Sequence, residues 1–338
     1  MPDRTEDIGE TSRGLHGLAP GLQEQHSGRT EASIVPLVSV ITIFLNADRF
    51  IREAIESVLG QSFKNFELIL VDDGSTDGSS SAARWYANRF PERITYFEHE
   101  DHGNRGMSAS RNLGIRHARG TYITFCDADD VWMTDKLAEQ LTIFRDNPAL
   151  GMVCCAANYW RSWTGGNDRI VLSGPVQNTV LRPPAACLSV DPLGGAAAPC
   201  NDLLVRRDVV LQVGGFEDEF RGMCEDQAFL AKIYLATPVY FSSRVSLKYR
   251  QHPESCMAIA ERDGQHNQAQ RLFLEWFAAY VRALPEPRPI GVEAAIQRSL
   301  LAYRRPLLNF LLTVPRRTMS GIRRSLRVAR SVLIRTVL

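Results

Sequence analysis

The sequence predicts an α/β fold, a mixed and mostly parallel sheet flanked by helices, followed by a helical C-terminal extension. Three observations predict it. Residues 38–44 (VSVITIF) and 66–71 (FELILV) are β-branched and aliphatic runs fit for strands buried on both faces, and the helix-periodic stretch between them completes a right-handed strand–helix–strand unit. Apolar runs empty twice into acidic clusters, at 72–77 and at 127–130, the position where α/β sheets bind ligands. Beyond Arg250 the apolar residues Leu272, Phe273, Trp276, Phe277, Tyr280 and Val281 fall on one helical face.

Taken in order, residues 1–34 are rich in Gly, Glu, Arg, Ser and Thr without period and read as a disordered leader. After the first strand, Phe50, Ile51, Ala54, Ile55, Val58 and Leu59 mark a helix that Gly60 ends. The second strand runs into Asp72, Asp73, Gly74 and Ser75. An Asp-Gly turn with Ser75 capping the next helix explains the last two and leaves the paired aspartates unexplained. Tyr96 and Phe97 suit a short strand, and residues 102–120 pass through a glycine-bearing loop into a helix that carries Arg111 and Asn112 and closes at Gly120. Residues 122–125 form the strand that delivers Asp127, Asp129 and Asp130, and a helix is expected over 131–141. Residues 151–157 read as a further strand, and 165–199 as irregular chain.

Three carboxylates within four positions repel one another and raise each other's pKa, so the cluster costs stability unless a cation sits among them. Oxygen ligands point to a hard divalent ion, Mn2+ or Mg2+. The competing reading is an acidic turn in which Asp129 or Asp130 caps the next helix. No GxGxxG and no GxxxxGK[ST] follows either strand, which argues against a dinucleotide fold and against P-loop chemistry.

Composition narrows the classes further. The 338 residues carry a net charge of +1, 44% hydrophobic and 23% charged residues, so no global basic field calls for nucleic acid. Residues 301–338 hold nine arginines and no acid; removing those charges leaves about −8 on the rest. Within 316–338 an apolar stripe flanked by arginines suits an anionic membrane surface or packing against the preceding domain. Seven cysteines, with no CxxC, fit a reducing cytoplasm, and no stretch is long and apolar enough to span a bilayer. Trp132, Trp160 and Trp163 are candidates for core or for stacking on sugar faces.

The motifs VSVITIFLN (38–46), VDDGSTDGS (71–79), GMSASRNLGIRHARGTYITFCDADD (106–130) and CEDQAFL (224–230), in this order and at these spacings, resemble family-2 glycosyltransferases of the GT-A type. The resemblance covers roughly residues 38–249. It implies a GT-A sheet that binds a nucleotide-diphosphate sugar, a UDP-sugar by analogy, and inversion at the anomeric carbon as a saccharide or lipid-linked acceptor attacks. Carried over by position, Asp73 resembles the acid that bonds the base, with Asp72 beside it, and Arg111 the arginine near the nucleotide. Asp127 and Asp129 resemble the DxD pair, Asp127 at the ribose and Asp129 on the metal. Asp226 resembles the catalytic base, with Glu225 as reserve. His252 stands where some relatives place a residue that contacts metal or diphosphate, though a surface histidine is the other reading. Ile43 and Leu45 occupy places where many relatives have a proline and a tyrosine, which puts the base preference in doubt.

The implied layout is a leader (1–34), a GT-A domain (35–250) and a helical extension with a basic amphipathic tail (251–338). The implied role is surface or extracellular polysaccharide synthesis, in the cytoplasm or at the inner face of the membrane. The rivals are a catalytically silent nucleotide-sugar-binding protein and a nucleotidyltransferase. The intact acids disfavour the first, and the lack of a basic glycine-rich N-terminal signature disfavours the second.

Overall fold

The computed structural model describes residues 35–199 and 201–305; the expected leader and the arginine-flanked stripe at 316–338 lie outside them. The first half follows the expected order. Strand β1 (Val38–Phe44), helix α1 (Ile51–Leu59), β2 (Phe66–Asp72), α2 (Ser79–Arg89), β3 (Ile94–Glu98), α3 (Met107–His117) and β4 (Tyr122–Phe125) succeed one another. β1 pairs in parallel with β2 and β4, and β2 with β3, so their carboxyl ends share one edge. Next come β5 (Val131–Trp132), α4 (Lys136–Asp146), β6 (Met152–Trp160), β7 (Arg169–Val171), β8 (Thr179–Leu181), α5 (Ala185–Ser189), β9 (Leu203–Arg206) and α6 (Arg207–Gln212). The described chain ends with α7 (Glu225–Ala236), β10 (Val239–Arg250), α8 (Cys256–Arg262), α9 (His266–Ala283) and α10 (Val292–Arg304). The sheet runs β3-β2-β1-β4-β9-β6-β10-β5 and is mixed, because β9 is antiparallel to both β4 and β6.

Period-two burial explains why the sheet is covered twice. Ile41, Ile43, Ile69 and Val71 face a core shared with α3, α6, α7, α9 and α10, whereas Val40, Phe44, Leu68 and Leu70 face α1, α2 and α4. The helices beyond Arg250 therefore complete the sheet's own core. Phe273 and Phe277 of α9 are buried in it, and Trp276 packs on Phe220.

Several local expectations need correction. No helix starts at Val131: Trp132 and Val131 pair antiparallel with Leu247 and Lys248, and α4 begins only at Lys136. A partner strand distant in sequence outcompeted local helical periodicity. Asp129 and Asp130 consequently cap nothing. Ser75 does not cap α2 either, since that helix opens after Gly78 and the Ser75 hydroxyl accepts from the Asn46 amide at 3.0 Å. Helix α3 ends at His117, short of Gly120. Gly120 instead lets the chain cross β1, where an added Cβ would stand 2.6 Å from the Ser39 nitrogen.

One buried ion pair braces the far half of the sheet. The Lys136 ammonium and Asp202 carboxylate are fully enclosed and bonded to each other, and Ser246 donates to the same carboxylate oxygen at 2.6 Å. Removing one member strands the other charge in low dielectric. Lys136→Met is expected to lower unfolding free energy by about 3–5 kcal/mol. Chemical denaturation checks this, and a loss under about 1 kcal/mol would show that water reaches Asp202.

Candidate active site

Because β2 and β4 flank β1 in parallel, their terminal acids open on one edge of the sheet. A single buried arginine ties that edge to α7. Arg111, on α3, donates through Nη1 to Glu225 Oε1 at 3.1 Å and through Nη2 to Asp127 Oδ1 at 3.2 Å, with its guanidinium 5.3 Å from the Phe216 ring centroid. Asn201 donates to the other Asp127 oxygen at 2.5 Å. Asn112, next to Arg111, exchanges hydrogen bonds with the Phe216 backbone and so holds the loop that leads into α7. Burial raises the Asp127 pKa, and Arg111 opposes that shift.

With Glu225 bonded to Arg111, its neighbour Asp226 makes no salt bridge among the described residues, although the nearby Arg111 charge still pulls its pKa down. The Asp226 carboxylate accepts the Gln227 amide at 2.7 Å, and its pKa is pushed up to about 7, first by burial and then by the charge on Glu225. Cys224, just before the helix, lies at φ 67°, a left-handed conformation uncommon outside glycine and frequent at functional turns. This geometry gives the two acids different work.

Asp129 and His252 meet on the other side of Asp127. Asp129 Oδ2 and His252 Nε2 are 2.9 Å apart, and the His252 side chain is only 6% exposed, so it is not a surface histidine. The hydrogen bond to Asp129 is the main cause of its raised pKa. Two cis ligands of an octahedral ion at about 2.1 Å stand about 3 Å apart, so the pair matches the spacing a divalent cation needs. Asp130 points inward instead. Its Oδ1 accepts the Arg250 amide at 2.9 Å, its Oδ2 has no partner among the described residues, and burial with the neighbouring Asp129 and Asp127 pushes its pKa well up.

Arg250 locks this turn. Its Nε donates to the Asp129 carbonyl at 2.6 Å, Nη2 pairs with Glu53 at 2.5 Å, and the rings of Phe50, Trp160 and Trp163 surround its guanidinium. Trp160 and Trp163 thus serve an arginine box, and Trp132 is core. Arg250 and Asn201 were not singled out from sequence. Each acts through a contact that only the β10 and β9 placements create, and no local pattern marks either residue.

The acids after β2 brace loops. Asp72 accepts the Ser75 amide at 2.8 Å, the Ser80 hydroxyl at 2.5 Å and the Tyr96 hydroxyl at 3.0 Å. Asp73 accepts the amides of Arg105 and Gly106, at 2.7 Å and 3.1 Å for its Oδ1. Gly74 sits at φ +88° against residues 102–104, where an added Cβ would be 2.8 Å from the His102 carbonyl oxygen. Among the described residues, Asp72, Glu98 and His102 form a group of three whose ligand atoms lie within 4.8 Å of one another. That group is already saturated, because Arg84 and Tyr96 bond Glu98 and the His102 ring donates to the Ser75 carbonyl. Asp129 and His252, facing the open cleft, suit a cation better.

A half-parallel sheet with two acid-bearing strand ends on one edge, a DAD turn and an acid pair opening a facing helix defines a GT-A nucleotide-sugar transferase fold. The profile described as Glycosyl transferase family 2 matches residues 39–175, and that stretch is similar to a family-2 glycosyltransferase domain. The putative teichuronic acid biosynthesis glycosyltransferase TuaG of Bacillus subtilis is 32% identical over 178 residues, 53% of this chain and 65% of that protein. The chain spans less than two thirds of the length of the curated relatives it matches. In fold it is similar to S. aureus TarS 1-349 in complex with UDP-GlcNAc, with a TM-score of 0.58 and 18% identity over 83% of this chain and 76% of that one. Mannosyltransferase PcManGT from Pyrobaculum calidifontis gives 0.54 and 20% identity, covering 88% and 80%.

Proposed function

We propose that this protein is an inverting, metal-dependent glycosyltransferase that moves a sugar from a UDP-sugar to a hydroxyl of a saccharide or lipid-linked acceptor in surface or extracellular polysaccharide synthesis. The observation that carries the reading is the division of labour across Arg111, which neutralises Asp127 and Glu225 while leaving Asp226 unpaired with a pKa near that of a working base. The printed names of similar proteins support the substrate class: a teichuronic acid biosynthesis enzyme, a complex with UDP-GlcNAc, and a complex with GDP-Man and Mn2+.

In this reading Asp129 and His252 would hold Mn2+ or Mg2+, which when bound would supply Lewis-acid stabilisation of the departing diphosphate. Asp73 fixes the 103–106 loop that frames the base, with Asp72 fixing the loop beside it, and Asp127 stands at the ribose. Asp226 takes the proton from the acceptor hydroxyl as it attacks from the face opposite the leaving group, and inversion follows from that single displacement. Arg111 keeps Glu225 from competing for the proton. Among the described residues no helix is long and apolar enough to cross a membrane. A peripheral site at the inner membrane face rests on the basic tail at 316–338 alone.

Incubating the full chain with Mn2+ and a panel of UDP-, GDP- and dTDP-sugars, and following slow donor hydrolysis, tests the proposal. Hydrolysis of one UDP-sugar above the rest is expected. Binding without hydrolysis would mark a silent binding protein, and neither binding nor hydrolysis would remove the transferase reading.

A further inference from the structure

A cleft beside α7 is left unassigned by the mechanism above. It has about 260 Å³ of space, and its walls include Asp191, His266, Gln270, Leu274, Ser299 and Tyr303. All of these lie outside the matched residues 39–175, and all but Asp191 are on α9 and α10 of the helical extension. It adjoins the helix that carries the base. Gln270 donates to the Gln227 side chain at 3.1 Å, one residue past Asp226, and Asp191 is close enough for its charge to help raise the pKa values of Cys224 and Tyr303.

The chemistry of the walls selects a ligand. Among the described residues the Asp191 carboxylate has one basic neighbour, the His266 ring, and neither of them nor the Tyr303 hydroxyl makes a side-chain hydrogen bond. Gln270, 3% exposed, has an unpartnered Oε1 as well. Among the described residues no arginine or lysine stands beside this carboxylate, which disfavours phosphate and nucleotide. Acceptors, a donor hydroxyl and one aromatic ring around apolar Leu274 fit a neutral polyol, which needs hydrogen bonds at its rim and carbon surface at its face. The volume falls just below the roughly 300–1,000 Å³ of drug-sized pockets, enough for a single sugar ring and too small for a lipid chain.

We infer that this cleft is the acceptor subsite and holds a neutral sugar ring of the acceptor, with Asp191 and Tyr303 bonding its hydroxyls. The inference rests on the transferase reading above and names the acceptor side of the same site. Saturation-transfer NMR on the full chain, with the methyl glycosides of glucose, galactose, mannose and N-acetylglucosamine as probes and UDP with Mn2+ as a separate probe, tests it. At least one glycoside should receive saturation. Asp191→Ala should weaken it about tenfold or more, as loss of a charged hydrogen bond does, and Tyr303→Phe should weaken it less, both with UDP binding unchanged. No saturation of any glycoside, or a glycoside signal that neither variant changes, overturns the inference. Failure of UDP binding with glycoside binding intact would instead count against the donor reading. Tyr303→Phe deletes one oxygen from a half-exposed ring, so it keeps the test decisive should Asp191→Ala not fold.

Discussion

Asp129→Ala is expected to abolish sugar transfer while the protein stays folded. The carboxylate has its side chain 31% exposed, and among the described residues its only side-chain bond is to His252, so the fold loses little. The reaction loses a cation ligand at the point where diphosphate charge develops. A metal's Lewis-acid contribution is several kcal/mol, so a rate loss on the order of 10³-fold or more is expected, together with weaker donor binding. Chelation should reproduce the effect in the unmodified chain. His252→Ala should act in the same direction through the same ion. The measurements are kcat, donor affinity and bound metal, with a thermal melt alongside. Full activity in a metal-stripped sample, or a normal rate for Asp129→Ala, would take the pair out of the mechanism.

Asp226→Asn has the second large effect. The amide keeps the size of the carboxylate but accepts no proton, so kcat should fall about 10²–10⁴-fold with donor affinity nearly unchanged. The raised pKa of Asp226 gives the effect a pH signature. In the unmodified enzyme the single-turnover rate should climb as pH rises through about 7 and then level, whereas the variant's residual rate should lack that step. Stability carries the opposite sign. A carboxyl whose folded-state pKa lies above its unfolded value binds more protons when folded, so stability falls as pH rises from about 4 through about 7 and remains lower above it. The variant should therefore melt above the unmodified protein at pH 8 and level with it near pH 4. A mere helix-capping role predicts instead a loss near 1 kcal/mol with kcat intact. Glu225→Gln separates the two acids: it removes a charge paired with buried Arg111, so it should cost more stability and less rate than Asp226→Asn. An unchanged single-turnover rate for Asp226→Asn would end its claim to be the base.

The sequence by itself determined the parallel half of the sheet and which acids end its strands. Val38–Phe44, Phe66–Asp72 and Tyr122–Phe125 are short apolar runs with turn chemistry after them, and such local signals survive folding unchanged. It also determined that Asp226 and Glu225 open a helix, since an acid pair ahead of an apolar stretch marks an N-terminus. What each acid does was decided only in three dimensions. Asp72 and Asp73 look alike in sequence to the acids of the DAD turn, yet the loops that fold over them saturate their oxygens with amides and hydroxyls. Asp130 turns inward because Arg250, 120 positions away, offers it an amide. Val131 and Trp132 look helical and become a strand because β10 lies beside them. Glu225 differs from its neighbour Asp226 because Arg111 reaches only the first. In each case a long-range partner fixed the protonation or conformation, and the free energy of such a contact depends on burial and distance, which no spacing along the chain encodes.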